Sequence, residues 1–297
     1  MVATTAAARR GSGEAARTRL TAGLTVGVPL LVILCFVVLP LILVLVYSFY
    51  SLNPDTGLMQ RDFSWENYER VLTNDIYLRV FWRTAQIALL ATGIALLLAY
   101  PIGYTIGAVA PREQQGILLL LIIVPFWTSY IVRTYGWIGI LQNDGFFDSL
   151  FGWIPGLPTE VLYSRAAVIV GFVHVFLPLM ILPIYASARN LDRRLLEAAS
   201  DLGCTPARAF LRVTLPLTMP GVVAGVILFF IPTFGSFVTP QLLGGLGDLM
   251  MGNVIATQFG EAFNWPLGSA LSIVMTLVVI AALAIFFRFA DMESIYG

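Results

Sequence analysis

Hydrophobic and polar positions fall into long blocks along this chain. Six blocks contain no charged residue, and each is close to or longer than the roughly 20 residues that a helix needs to cross a membrane core about 30 Å thick. These blocks are 20–54, 84–111, 114–132, 166–188, 213–247 and 262–287. The pattern predicts an all-α membrane protein with six transmembrane helices.

The fifth block is long enough to hold more than one element. Pro232, Gly235 and Pro240 interrupt its second half, and proline and glycine break helical patterns. We therefore expect a spanning helix followed by a re-entrant or loop segment.

Charged residues between the blocks predict the orientation, because arginine accumulates in cytoplasmic loops. With the N-terminus inside, the inner parts hold eleven arginines and seven acidic residues. The outer parts then hold five arginines and ten acidic residues. Arg133, at the end of the third block, is left unassigned. The net charges are then +4 inside and −5 outside, which places both termini in the cytoplasm.

The parts outside the blocks complete the predicted organisation. We expect a flexible cytoplasmic tail over 1–20, a transmembrane domain over 21–290 and a cytoplasmic C-terminus over 291–297. The first apolar run is far longer than the core of a secretory signal, so we expect it to be retained. Outside the membrane, we expect segment 53–83 to form an ordered outer cap with a short helix from Ser64. We expect segment 142–165 to form a second outer connection between spans.

Composition narrows the function classes. The chain is 58% hydrophobic and 11% charged, with a mean hydropathy of +0.86, whereas soluble domains are about 25% charged. This disfavours a soluble enzyme, a nucleic-acid binder and a disordered scaffold. All 17 basic residues are arginine, so the chain lacks the lysine that a Walker A loop or a Schiff-base site requires.

The loop segment 189–214 is long, charged and patterned like two short helices. Asn190 is suited to cap the first helix, Asp192 lies in its first turn and Gly203 is placed to end it. Thr205 and Pro206 fit the N-cap and first position of the second helix. The pattern fits an amphipathic linker on the membrane surface or a contact element for a partner.

Within this loop, Glu197-Ala198-Ala199 is followed by Gly203, Val213 and Leu215-Pro216. This spacing resembles the EAA signature of permease subunits of binding-protein-dependent ABC importers, with Val213 in place of the usual isoleucine. The resemblance implies a type I importer permease fold in which a coupling helix docks on the ATP-hydrolysing subunit. It assigns that contact to five residues, namely Glu197, Ala198, Ala199, Asp201 and Gly203. We therefore call the segment 189–214 the coupling loop.

Other segments resemble the spermidine/putrescine branch of these permeases. They are 125–137, 182–185, 232–245 and 264–268. The resemblance implies polyamine import, although related branches carry iron, sulfate, thiamine or other small solutes. It also implies a bacterial inner membrane location and no enzymatic activity in this chain. The implied protein partners are a second homologous permease, a dimer of ATP-binding subunits that holds ATP and Mg, and an extracytoplasmic solute-binding protein. The resemblance also implies contact with membrane lipid and no binding of nucleic acid.

Candidate pathway or gate residues lie in two of these segments, and candidate cation-attracting acids lie outside the blocks. The former are Trp127, Tyr130, Arg133, Tyr135, Phe234 and Phe237; the latter are Asp144, Asp148, Asp248 and Glu261. Aromatic faces bind ammonium groups, but an interfacial aromatic belt has the same composition. Acidic outer loops can likewise merely complement arginine-rich inner loops. Arg133 would repel a polycation, so we assign it to gating or to a protein contact.

The remaining candidate chemistry is sparse. His174 is the sole histidine, which favours a packing role over a metal or proton-relay site. Cys35 and Cys204 lie in different predicted environments, so no disulfide is indicated. The blocks show neither the inverted repeats nor the buried acids of an ion-coupled secondary transporter, and no motif of an intramembrane enzyme is present.

Overall fold

A computed structural model describes residues 25, 27–53, 56–154 and 161–289 of the protein. The predicted tails, 1–20 and 291–297, lie outside the described residues. The long helices are α1 (Gly27–Tyr47), α3 (Asp75–Val109), α7 (Arg165–Arg189), α9 (Pro206–Gly235) and α12 (Trp265–Phe289). The shorter ones are α2 (Glu66–Thr73), α4 (Arg112–Phe126), α5 (Tyr130–Leu141), α6 (Phe146–Phe151), α8 (Arg193–Asp201), α10 (Val238–Leu243) and α11 (Met251–Gly260).

The described residues fall into two compact units, one within 1–68 and 264–273 and the other within 69–263 and 274–297. In the first unit, the side chains of α1 are almost all exposed, as expected for a helix that faces lipid or another subunit. A two-residue antiparallel hairpin pairs β1 (Ser51–Leu52) with β2 (Met59–Gln60). The predicted short helix is present as α2, and the Ser64 hydroxyl accepts from the Glu66 amide at 3.2 Å.

An aromatic cluster orders the segment between α1 and α2 in the first unit. Phe49 stacks on Phe63 at 4.8 Å between ring centroids and meets Trp65 edge-on at 5.0 Å. The Asn67 amide donates to the carbonyls of Ser48 and Tyr50, at 3.1 and 2.7 Å. These contacts make this segment an ordered cap, as the sequence predicted.

The hairpin carries a pH-dependent contact. The Ser51 hydroxyl donates to both carboxylate oxygens of Asp62, at 2.7 and 2.9 Å, and this hydrogen bond lowers the pKa of Asp62. Because the folded pKa is lowered, the stabilisation is present above the ordinary carboxylate pKa and is lost as pH falls through the folded value. At neutral pH, we expect Asp62→Asn to speed amide exchange around Ser51, measured by mass spectrometry, while Asp75→Asn leaves that exchange unchanged.

The core of the second unit lies between α3, α7 and α9. Alanines on one face of α3 are fully buried, namely Ala88, Ala91, Ala95 and Ala99. Larger buried side chains such as Phe172, Ile184 and Phe229 fill the space between α7 and α9. Small side chains let helix backbones approach closely, which is the usual means of packing helices in a membrane.

Glycines mark the closest helix contacts. A Cβ added at Gly221 of α9 would lie 2.4 Å from the Pro183 carbonyl oxygen of α7, and one at Gly225 would lie 2.9 Å from the Met180 oxygen. Gly221 and Gly225 form a G-x-x-x-G pair, whose missing side chains allow this approach.

Five of the six predicted blocks correspond to single long helices, and the third corresponds to a pair of shorter helices that meet at a bend. Among the described residues, five helices are long and apolar enough to cross a membrane, or six spans result if one bent pair counts as a span. That pair is α4 and α5, which meet at an angle of 86° where the sequence predicted an uninterrupted third block. Ser129 has an extended backbone there, and the Thr128 hydroxyl bonds the Pro125 carbonyl. The polar residues within the block thus end the helix.

The prediction for the fifth block is confirmed in outline. The spanning helix α9 ends at Gly235, and α10 follows after two residues. Pro232 lies inside the helix, so the break occurs later than the first proline suggested.

Candidate functional site

The coupling loop contains α8, whose start differs by two residues from the prediction. Asp192 is the N-cap, and its carboxylate accepts from the Arg194 amide at 3.0 Å. Asn190 instead ends α7, since its backbone is helical and its amide bonds the Ser187 carbonyl at 3.2 Å. Both residue types favour N-caps, so the sequence pattern alone did not separate them.

The end of α8 is a Schellman motif. The Gly203 amide bonds the Ser200 carbonyl at 2.9 Å, and the Cys204 amide bonds the Ala199 carbonyl at 3.0 Å. Gly203 has φ +77°, a left-handed conformation that glycine adopts without strain. The predicted stop at Gly203 is therefore confirmed, and it gives the short helix a defined end.

One face of α8 is turned away from the rest of the chain. Glu197, Ala198 and Asp201 are exposed, and Leu195 and Leu202 expose 46% and 86% of their surface. Ala199, which was also predicted to contact the partner, is buried and packs against the rest of the chain instead. Leu195 lies one helical turn before the buried Ala199, so the exposed face combines the two carboxylates with the apolar side chain of Leu202.

The second predicted helix of the loop is the beginning of α9. The Thr205 hydroxyl accepts from the Arg208 amide at 3.4 Å, and Pro206 is the first helical residue, as predicted. The helix then widens into a π-helical turn at Phe210–Thr214 and continues without interruption from Leu215. Pro216 lacks the amide hydrogen for a regular turn, which accounts for the widening here. Thus the loop joins directly to a spanning helix.

A polar network ties the base of the loop to neighbouring helices. Buried Gln115 of α4 donates to the carbonyls of Gly107 and Ala110, at 3.2 and 3.1 Å, and accepts from the Tyr185 hydroxyl at 3.4 Å. Arg189 donates to the same hydroxyl at 3.1 Å. A Cβ at Gly107 would lie 2.7 Å from the Tyr185 carbonyl oxygen. Gln115 and Tyr185 are 70 positions apart in the sequence, and the sequence pattern did not predict these contacts.

A second polar layer joins the break after α9 to the start of α5. The Tyr130 hydroxyl lies 2.9 Å from the Ser236 hydroxyl and 2.6 Å from the Thr239 hydroxyl. The Asn253 amide donates to the Phe237 carbonyl at 2.7 Å. These bonds satisfy polar groups that the broken helices expose, which is required where irregular backbone lies at membrane depth.

The predicted outer end holds two arginine contacts to one turn. Arg83 donates to the Gly247 carbonyl, and Arg165 lies 3.4 Å from the Asp248 carboxylate. Next to this turn, the Met251 amide donates to the Thr84 hydroxyl at 2.8 Å. Asp248 is therefore paired within the chain, unlike a free cation-attracting acid.

Arg133 is held beside the bend between α4 and α5. Its guanidinium donates to the Val175 carbonyl at 3.1 Å and lies 5.2 Å from the ring centre of Phe126. Its Nε is buried without a hydrogen-bond partner among the described atoms. The contacts stay within this chain and do not test a role in gating. His174 is exposed and meets Trp137 edge-on at 5.5 Å.

The other predicted site residues are scattered. Trp127, Tyr135 and Phe237 are 78%, 57% and 44% exposed, while Phe234 is 2% exposed and packs on Phe230. Asp144 and Asp148 meet through a 3.3 Å bond from the Asp144 amide. Glu261 is exposed. Within the described residues, no group of three or more histidine, cysteine or acidic side chains is placed to hold a metal ion.

Tyr130 gives a direct test of the polar layer. We expect Tyr130→Phe to reduce the free energy of unfolding by about 1 kcal/mol, because membrane hydrogen bonds contribute about that much. The Tm in detergent would fall by roughly 2–4 °C. Tyr135→Phe, which removes an exposed hydroxyl, serves as the matched control and should leave the Tm unchanged. An unchanged Tm in both variants would show that the layer contributes nothing to stability.

The sequence matches, over residues 18–292, the family described as "Binding-protein-dependent transport system inner membrane component". The "Spermidine/putrescine transport system permease protein PotB" of Escherichia coli (strain K12) is 37% identical over 255 residues, which cover 85% of this chain and 92% of that protein. The protein of the same name from Haemophilus influenzae is 38% identical over 255 residues, covering 85% of this chain and 88% of the relative.

The fold is similar to that of solved transporter chains. A chain of a bacterial alginate ABC transporter, solved in complex with an alginate pentasaccharide-bound periplasmic protein, has a TM-score of 0.76 and 13% sequence identity. The match covers 95% of this chain and 97% of that one. At this identity the likeness concerns the fold alone, and it extends over nearly the whole chain.

Proposed function

Because the chain belongs to the family of binding-protein-dependent transport system inner membrane components, we propose that it forms half of the translocation pathway of an ATP-driven polyamine importer. The observation that carries the substrate assignment is the 37% identity to a spermidine/putrescine permease over 85% of the chain. The predicted outer face, at −5, would raise the local concentration of a polycation.

The exposed face of α8 supports a coupling role for this helix. A conformational equilibrium shifts only by the difference in contact energy between its states, so an ATPase must act on the permease through a physical contact. Glu197 and Asp201 offer carboxylates to cationic groups of the ATPase, while Leu202, 86% exposed, offers apolar surface. The capped ends of α8 and the four-residue connection from α8 to α9 would pass a displacement to a spanning helix.

The two breaks provide the elements that would move within the membrane. Tyr130 joins the bend before α5 to the break after α9 through its hydroxyl contacts. Broken helices allow irregular backbone to line a path at membrane depth. We assign Tyr130 and Phe237 to the wall of that path or its gate, with Arg133 as a positioning residue at the bend.

Reconstitution tests the proposal. The chain is assembled in proteoliposomes with a second permease, an ATPase dimer and the solute-binding protein, and uptake of labelled spermidine and putrescine is measured with and without ATP. We expect ATP-dependent uptake of at least one polyamine, inhibited by the other. Uptake of iron, sulfate or thiamine in place of polyamines would overturn the substrate assignment, and uptake without any ATPase would overturn the proposed mechanism.

The coupling contact is tested separately in the same vesicles. We expect Glu197→Gln to lower uptake and substrate-stimulated ATP hydrolysis several-fold, because an ionic contact across the interface is lost. Glu113→Gln, which alters another exposed acid near the predicted cytoplasmic surface, is the matched control. Equal activity in both variants would contradict the role given to Glu197.

A further inference from the structure

A cavity of about 740 Å³ opens beside the base of the coupling loop. Its wall is formed by the end of α3, the start of α4, the end of α7 and the start of α8. Three of its lining residues are arginines from three different helices, namely Arg112, Arg189 and Arg194. This convergence makes the cavity a basic concave surface.

The positive charge of the cavity is not balanced by the described chain. The ion pairs among the described residues are Arg79 with Asp75 and Arg165 with Asp248, and neither involves a cavity arginine. The one carboxylate in the lining, Asp192, accepts a hydrogen bond from the Arg194 amide as the helix cap. Like charges around one space repel each other, and an anion bound between them would relieve that repulsion.

The backbone adds to this preference for an anion. α4 begins at Arg112, and no side chain caps its N-terminus. The Gln114 and Gln115 amides bond the Pro111 carbonyl, so the amides that favour negative charge at this end, together with the helix dipole, are those of Arg112 and Glu113. The wall also includes Gln115 and Asn190, but Gln115 already donates to the Gly107 and Ala110 carbonyls. The arginines are therefore the main groups available to the ligand.

The cavity lies at the level expected for lipid headgroups. Arg112 and Arg189 stand directly at the ends of apolar segments, where the predicted cytoplasmic surface begins. Basic pockets between transmembrane helices on that surface suit anionic headgroups, and guanidinium groups bind phosphate oxygens in a bidentate manner. The chemistry is that of a phosphate group held by arginines from several helices.

We propose that this cavity binds a phosphate-bearing anion, whose phosphate is held jointly by Arg112, Arg189 and Arg194. Arg112 belongs to α4 and Arg194 to α8, so the bound anion bridges a membrane helix and the coupling helix. The anion stiffens the connection at Asn190 and Asp192, through which α8 joins α7. This effect on coupling rests on the proposed function, whereas binding of the anion does not.

Binding is measured on the purified full chain, without a transport readout. The chain is placed in nanodiscs of phosphatidylcholine with or without phosphatidylglycerol, and retained phosphatidylglycerol is counted by native mass spectrometry. We expect retention by the unaltered chain and about fivefold weaker binding in Arg112→Gln and in Arg194→Gln, since one arginine contributes about 1 kcal/mol near an anionic surface. Arg288→Gln, at the predicted cytoplasmic end of α12, is the matched control and should bind normally.

A second arm separates lipid from soluble phosphate. Inorganic phosphate is titrated into the chain in phosphatidylcholine nanodiscs by calorimetry. Saturable binding that weakens in Arg112→Gln identifies a soluble phosphate as the ligand, and variant-dependent retention of phosphatidylglycerol identifies a lipid. The proposal is overturned if neither probe binds, or if Arg112→Gln and Arg288→Gln bind equally. It is also overturned if the cavity variants lose only association with the ATPase subunit, which would make the cavity a protein contact.

Discussion

We expect Gly221→Val to prevent folding of the second unit, with little monodisperse protein recovered from the membrane. A Cβ at this position would lie 2.4 Å from the Pro183 carbonyl oxygen and 2.5 Å from the Ser187 hydroxyl oxygen. Since both atoms belong to a packed helix, α7 and α9 must separate. The cost of such overpacking is about 3 kcal/mol or more, a large part of the stability of a typical domain.

Gly93→Val provides the control for this experiment. Gly93 lies within α3, and a Cβ there would meet nothing within 4 Å. Both variants place a β-branched residue in a helix, so their difference reports the close contact alone. Size-exclusion chromatography of detergent extracts measures the monodisperse fraction. Equal recovery of the two variants would contradict the packing described for α7 and α9.

The second large effect is expected at Gly203. Valine is strongly disfavoured at φ +77°, and a left-handed conformation costs an ordinary residue roughly 1–2 kcal/mol. We expect Gly203→Val to lose the Schellman motif and to reduce ATP-dependent uptake at least tenfold, with normal amounts of inserted protein. The position is exposed and free of close neighbours within the chain, so the fold should tolerate the change.

Gly203→Asn distinguishes an effect of the backbone conformation at residue 203 from an effect of adding a side chain at the partner surface. Asparagine tolerates the left-handed conformation, so this variant should keep the end of α8 and most of the uptake. If Gly203→Asn is as inactive as Gly203→Val, the partner approaches the Cα atom too closely for any side chain. Normal uptake in Gly203→Val would remove the support for a defined helix end in coupling.

Local chemistry explains which features were predictable. Uncharged blocks identified the spanning segments because the hydrocarbon core excludes charge over a fixed length. Gly203, Thr205 and Pro206 were placed correctly, since each acts on its own backbone neighbourhood. Asp192, and not the predicted Asn190, is the N-cap of α8 because the choice depends on where α7 ends, and that end is determined by tertiary packing.

Contacts between distant residues were not accessible in the same way. The bend after Phe126 lies inside an apolar block, where Pro125 and the polar Thr128 and Ser129 gave only a weak signal. The hydroxyls that Tyr130 meets belong to a segment more than 100 positions away. The pairing of Asp248 with Arg165 likewise depends on the fold. Individual roles of the other outer acids and exposed aromatic residues stay predictions.

The bend between α4 and α5 bears on how the chain enters the bilayer during synthesis. At 15 and 12 residues, neither helix reaches the roughly 20 residues that span a membrane alone. Arg133, in the first turn of α5, adds to the cost of inserting that helix, since arginine is unfavourable within a transmembrane segment. Its hydrogen-bond acceptor, the Val175 carbonyl, emerges from the ribosome 42 residues later. We therefore expect stable integration of this region to depend on α7, which supplies that carbonyl.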